Sequence, residues 1–153
     1  MSESGGFKKR YIVVGVLFTI WVVAYLDRMV MATAIPYIAD EFGLTPVSMG
    51  VVMSAFFIGY AFCQIPGGLL ADKFGAQKVM FTGIAWWSVF TAITGMAYSL
   101  ISMIFIRIAF GIGEGVFPAA SWRAVANWFP AKERGAATGI MLSSNSFGPA
   151  LAP

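Results

Sequence analysis

The chain has no histidine and a single cysteine, Cys63, in 153 residues. Without histidine there is no His-based zinc site, no Ser-His-Asp triad and no Cys-His dyad, and one thiol excludes an intrachain disulfide. Lone hydroxyls such as Ser54 or Ser143 have no imidazole to activate them. No metal-ligand cluster or phosphate-cradling loop is present, so neither an enzyme nor a cofactor is expected. Charge is scarce too. Charged residues make up 11% of the chain and apolar ones 59%, whereas a soluble domain carries about a quarter charged residues. Such a composition cannot cover a water-exposed surface, which excludes a soluble globular enzyme and a disordered chain. The net charge of +3 resembles a nucleic-acid signal only until the charges are located. The chain reads as an all-α membrane protein with the lipid bilayer around it and no nucleic-acid partner.

A spanning helix needs roughly 20 mostly apolar residues to cross about 30 Å of hydrocarbon. After a cytoplasmic N-terminal segment, 1–10, the charge-poor runs predict helices over about 11–39, 46–71, 79–98, 99–122 and 135–153. Thr45-Pro46 supplies a cap and a first helical position for the second. A signal peptide is the competing reading of Lys8-Lys9-Arg10 and the apolar stretch behind it. That stretch is too long for one, contains Asp27-Arg28 and lacks a small-x-small exit. Lys8, Lys9 and Arg10 precede helix 1, Lys73 and Lys78 separate helices 2 and 3, and Lys132 and Arg134 separate helices 4 and 5. The turns after helices 1 and 3 hold no basic residue, so the N-terminus is expected in the cytoplasm of a multi-pass protein of the inner (plasma) membrane.

Small residues recur every fourth position along helix 2 (Ala55, Gly59, Cys63, Gly67, Ala71) and along helix 5 (Gly135, Gly139, Ser143, and again Ser144, Gly148, Ala152). Such faces ask for closely packed neighbours, and some are expected to lack them within this chain. Trp86, Trp87, Trp122 and Trp128 suit anchoring at the membrane interface.

Four ionised residues fall inside predicted spans, each costing at least roughly 2.5 to 3.5 kcal/mol at mid-membrane. Asp27 and Arg28 are adjacent on helix 1 and point about 100° apart. Arg107 and Glu114 are seven apart on helix 4, so they share a face about 10 Å apart along the axis and frame a cavity between them. Two arginines facing an anion suit bidentate recognition of a carboxylate, and a carboxyl withdrawn from water can take up and release a proton. The competing reading is a structural ion pair between helices 1 and 4, Asp27 with Arg107. Glu114 sits in Gly111-Ile112-Gly113-Glu114-Gly115, where the glycines either leave room beside it or form a packing motif. Tyr25, Tyr60 and Asn145 place polar groups toward mid-span, either as ordinary packing and helix-to-helix bonds or as substrate contacts.

The loop from Gly67 to Lys78 resembles the signature of the major facilitator superfamily, G-x-x-x-D-[RK]-x-G-x-[RK]-[RK]. Gly68, Asp72, Lys73, Gly75 and Lys78 match, and Gln77 departs. Arg107-x-x-x-Gly111-x-Gly113 is similar to the helix 4 signature of proton-coupled members, and Pro130 to Gly135 to the loop before helix 5. Tyr25-Leu26-Asp27-Arg28, Cys63 to Gly68 and Asn127 to Pro130 resemble the anion:cation symporter branch, which includes bacterial galactonate, glucarate and hexuronate symporters. The resemblance implies the N-terminal part of a twelve-helix fold, truncated before helix 6, whose substrate lies between two pseudo-symmetric halves. It also implies proton-driven uptake of a small organic anion by alternating access. On that basis Asp27 and Glu114 carry protons, and Arg28 and Arg107 hold the substrate carboxylate or couple it to the proton. Tyr25, Tyr60, Glu114 and Asn145 line the sugar-acid site, and Gly68, Asp72, Lys73, Gly75 and Lys78 form a conformational gate. The partners are the anion, protons and the missing C-terminal half, without which the chain is not expected to transport. Two alternatives are a drug or metabolite exporter of the same superfamily, for which two buried arginines have little use, and a non-transporting fragment that only assembles with other helices.

Overall fold

The computed structural model describes residues 3–151, with side chains from residue 9 onward. The Lys8 side chain, Ala152 and the expected helix end at Pro153 lie outside the described residues. Six helices follow one another: α1 (Glu3–Phe42), α2 (Pro46–Phe74), α3 (Ala76–Thr94), α4 (Leu100–Gly115), α5 (Phe117–Trp128) and α6 (Ala131–Leu151). Among the described residues there is no strand.

The boundaries have local causes. Helix α1 runs past the expected residue 39 and stops at Gly43, whose φ of 61° turns the chain so that the Leu44 N–H reaches the Ala39 carbonyl at 2.8 Å. This is the glycine-terminated helix end that satisfies an otherwise orphaned carbonyl. Thr45 caps α2 by accepting from the Ser48 N–H at 3.2 Å. Gly75, at φ 91°, separates α2 from α3. Ser99 and Ser102 form a reciprocal capping box that starts α4.

The expected fourth helix, 99–122, is broken at Val116. Pro118 explains the break. It has no N–H to offer the Glu114 carbonyl, so the helical hydrogen-bond ladder is interrupted there. Helix α6 begins at Ala131, four residues before the expected start, which brings Lys132, Glu133 and Arg134 into its first turns. Three stretches among the described residues are long and apolar enough to cross a membrane: Lys9–Phe42, Pro46–Phe74 and Leu100–Trp128, the last containing both α4 and α5.

The chain divides into two compact units, Met1–Val30 with Trp122–Pro153, and Met31–Ser121. In the first, Val14, Leu17, Trp21 and Ala24 form one buried face of α1, and Ala137, Met141, Ser144 and Gly148 one buried face of α6. Arg10 pairs with Glu133 at 3.1 Å, and farther along both helices Gly148 lies against Tyr25, so α1 and α6 run parallel. Arg134 donates from Nε to the Phe129 carbonyl at 3.0 Å and from Nη2 to the Ala126 carbonyl at 2.9 Å. It thereby satisfies the carbonyl end of α5 with a cation, the sign that the helix dipole favours there.

In the second unit α2 and α4 run parallel at very short range. A Cβ at Gly59 would strike the Ile108 carbonyl, one at Gly111 the Phe56 carbonyl, and one at Gly67 the Cα of Val116. The small-residue face of α2 therefore has its neighbour within this chain. The Ser144–Gly148 face of α6 is also covered, by Val22 and Tyr25, whereas Gly135 and Gly139 face open space. Helix α3 runs antiparallel to α4, and the Trp86 indole N–H donates to the Ala109 carbonyl at 2.7 Å. Trp87 is not an interface anchor. It is 2% exposed and packs edge-on against Phe117 at 5.6 Å. Met31, Ile35, Val52 and Met103 form one apolar cluster, and Ala71, Val79 and Ala120 another.

Candidate functional site

Two charged side chains are buried on α4: Arg107, 6% exposed, and Glu114, 1% exposed. Burying an ionised group is costly, and such burial persists where other groups compensate the charge. Arg107 donates from Nη2 to the Thr94 hydroxyl at 2.9 Å, and its guanidinium carbon lies 5.3 Å from the centre of the Phe110 ring. Thr94 is the last residue of α3, so the cation sits at a helix C-terminus, the end whose carbonyls carry partial negative charge. Glu114 occupies the last turn of α4, just before the break that Pro118 imposes. Neither side chain lacks a partner.

Of the two readings of the glycines around Glu114, their close contacts support the packing motif. A Cβ at Gly111 or Gly115 would fall on the backbone of Phe56 or Tyr60, and one at Gly113 on the Trp86 indole. They are a packing motif. Their effect is to hold α4 against α2 and α3 tightly enough to enclose Glu114. The same contacts set the Tyr60 backbone against the α4 turn that bears Glu114. Its ring lies 5.4 Å from Phe56, which in turn lies 5.6 Å from Phe110. The α2–α4 contact thus sets Tyr60 beside the α4 turn that bears Glu114, while Arg107 lies two turns earlier on α4 beside Phe110.

Tyr25, Asp27, Arg28 and Asn145 belong to the first unit. The Arg28 guanidinium carbon lies 5.1 Å from the centre of the Tyr25 ring, a distance at which cation and ring attract. Tyr25 also stacks on Trp21 at 5.8 Å. Asp27 is half-buried and engaged. Asn145 is exposed, three residues before the Gly148 that packs on Tyr25.

The signature-loop residues surround the α2–α3 turn. Gly75 has the positive φ that glycine alone adopts without strain. Lys73 lies in the last turn of α2, with its ammonium 5.2 Å from the Phe74 ring centre. Asp72, Lys73 and Lys78 are exposed. Gly68 is under no comparable constraint, because a Cβ there would meet the Ala119 methyl at an ordinary 3.5 Å. Sequence reasoning missed Thr94, Phe110 and the Arg10–Glu133 pair. The available signal for Thr94 was its place at the end of α3, since folding α3 back along α4 brings that end beside the first turns of α4.

Apolar helices long enough to cross a membrane, closed against one another through glycine with ionisable side chains enclosed among them, define a multi-pass helical membrane protein. The family model described as Major Facilitator Superfamily matches residues 17–153, and the chain belongs to that superfamily. It is 43% identical over 95% of its length to a probable sulfoacetate transporter of Cupriavidus necator, covering 34% of that protein. It is 41% identical over 98% of its length to a probable galactarate/D-glucarate transporter of Escherichia coli, covering 35% of that protein. A bacterial homolog of the human lysosomal transporter Spinster, in an inward-facing and unoccupied conformation, superposes with a TM-score of 0.87 at 25% identity. That match covers 97% of this chain and 30% of the solved one. The chain spans about a third of the length of the curated relatives it matches.

Proposed function

We propose that the chain contributes the first helices of a carrier that moves a small organic anion, a sugar acid or related carboxylate, in symport with protons by alternating access. Arg107 and Arg28 hold the anion, Asp27 and Glu114 take up and release protons, and Tyr25, Tyr60 and Asn145 contact the substrate. Gly68, Asp72, Lys73, Gly75 and Lys78 act as the gate on the cytoplasmic side of an inner-membrane protein whose N-terminus is cytoplasmic. By itself the chain supplies one wall of such a site and does not transport.

The observation that carries this reading is the burial of Arg107 and Glu114 on one face of α4. A guanidinium keeps its charge in a poorly solvated site and matches planar oxyanions through parallel N–H donors. A carboxyl enclosed nearby supplies the group that a proton can neutralise. The relatives named as transporters of sulfoacetate and of galactarate or D-glucarate all handle anions, which agrees in sign with buried arginines. The test is uptake of D-glucarate, a hexuronate and sulfoacetate into proteoliposomes holding the whole carrier. Accumulation driven by an inward proton gradient, abolished by Arg107→Ala, is the expected result. No uptake of any of the three, together with export of hydrophobic cations, overturns it in favour of an exporter.

A further inference from the structure

Three threonines of α3 bend their hydroxyls back onto the helix: Thr82 onto Lys78, Thr91 onto Trp87, and Thr94 onto the Phe90 carbonyl at 2.8 Å. Thr94 does more, because its oxygen also accepts from Arg107 Nη2 at 2.9 Å. The direction of both bonds is determined. A guanidinium has donors and no acceptor, so the single hydroxyl hydrogen goes to Phe90 and the oxygen lone pair is aimed at Arg107. Arg107 is thereby tied to the C-terminal turn of α3, while its own helix places Phe110 at 5.3 Å from the guanidinium carbon.

We propose that Thr94 is a positioning residue for anion binding, which orients the Arg107 guanidinium through the Arg107-to-Thr94-to-Phe90 relay. This rests on the reading of Arg107 as a residue that holds the anion. Five N–H donors of a guanidinium lie in one plane, so anchoring one nitrogen sets the plane in which the others meet a carboxylate. Order already present before binding does not have to be gained during it, which raises affinity. Sharing the hydroxyl between a carbonyl and a cation also polarises it, since hydrogen bonds in a chain strengthen one another.

The test is the kinetics of radiolabelled D-glucarate uptake, or sulfoacetate uptake if that is the better substrate, into proteoliposomes of the whole carrier. Thr94→Val keeps the shape and removes the acceptor, Thr94→Ser keeps the acceptor, and Arg107→Ala removes the residue positioned. We expect Thr94→Val to raise KM about tenfold, the scale of a lost hydrogen bond to a charged group, with the maximal rate within about twofold, as for uniform loss of binding. Thr94→Ser is expected to restore the parental KM. An unchanged KM in Thr94→Val, with Arg107→Ala inactive, overturns the positioning role alone. Full activity in Arg107→Ala overturns the reading of Arg107, and the proposal with it. If Thr94→Val does not reach the membrane, Thr94→Ala takes its place with the same expected and overturning results.

Discussion

In the second unit α2, α3 and α4 approach until neighbouring backbone or an indole occupies the Cβ positions of Gly59, Gly67, Gly111, Gly113 and Gly115. In the first unit α1 and α6 meet through the Arg10–Glu133 pair and the Phe18–Phe147 contact at 5.6 Å, with one comparably close approach, at Gly148, where a Cβ would fall on the Tyr25 Cβ. The difference lies in how much each can yield. Side chains change rotamer to absorb a substitution, whereas backbone cannot move without shifting a helix. Apolar burial offers little drive between helices within lipid, so close van der Waals packing must supply much of the association. The unit that encloses Arg107 and Glu114 is the less forgiving of the two.

Substitutions can break this contrast. The largest effect is expected from Gly111→Val, which forces a branched side chain onto the Phe56 carbonyl. Overpacking of this kind costs about 1 to 3 kcal/mol or more, and a thermal-unfolding assay in detergent should show a strongly lowered midpoint or no folded carrier. Trp86→Phe removes the indole donor to the Ala109 carbonyl but retains an aromatic ring over Gly113. It should lower stability by about 1 kcal/mol in the same assay.

Smaller effects belong to the first unit. Glu133→Gln breaks the Arg10 pair, whose Glu133 side chain is 42% exposed. The expected loss is about 0.2 to 1 kcal/mol, shrinking as salt is raised, and denaturation at low and high ionic strength measures it. Gly139→Ala adds a methyl where nothing lies within 4 Å. It should be neutral or stabilise by about 0.5 to 1 kcal/mol through helix propensity. If Gly111→Val and Gly139→Ala behave alike, the contrast between the units is wrong.

Much of this was readable in the residues. Long charge-free runs marked the helices, because hydrocarbon tolerates few charges, and the same rule exposed Asp27, Arg28, Arg107 and Glu114 as exceptions. Thr45-Pro46 announced a helix start because its chemistry is local. The purpose of Gly111, Gly113 and Gly115 was not readable, since space beside a glycine depends on which helix lies opposite. Trp87 read as an interface anchor for the same reason: burial is decided by neighbours distant in sequence. The break at Val116 was legible in Pro118 but was masked by the unbroken hydropathy of the run.

By itself the sequence determined that the protein is a bundle of membrane helices, that few charges enter it, and which loop carries the superfamily signature. These follow from composition and short-range spacing. The tertiary structure alone decided that α2 and α4 lie backbone to backbone, that Glu114 is buried, and that Arg107 is held by Thr94. Each of these joins residues on different helices, and the distance between helices is set by packing that no single segment encodes.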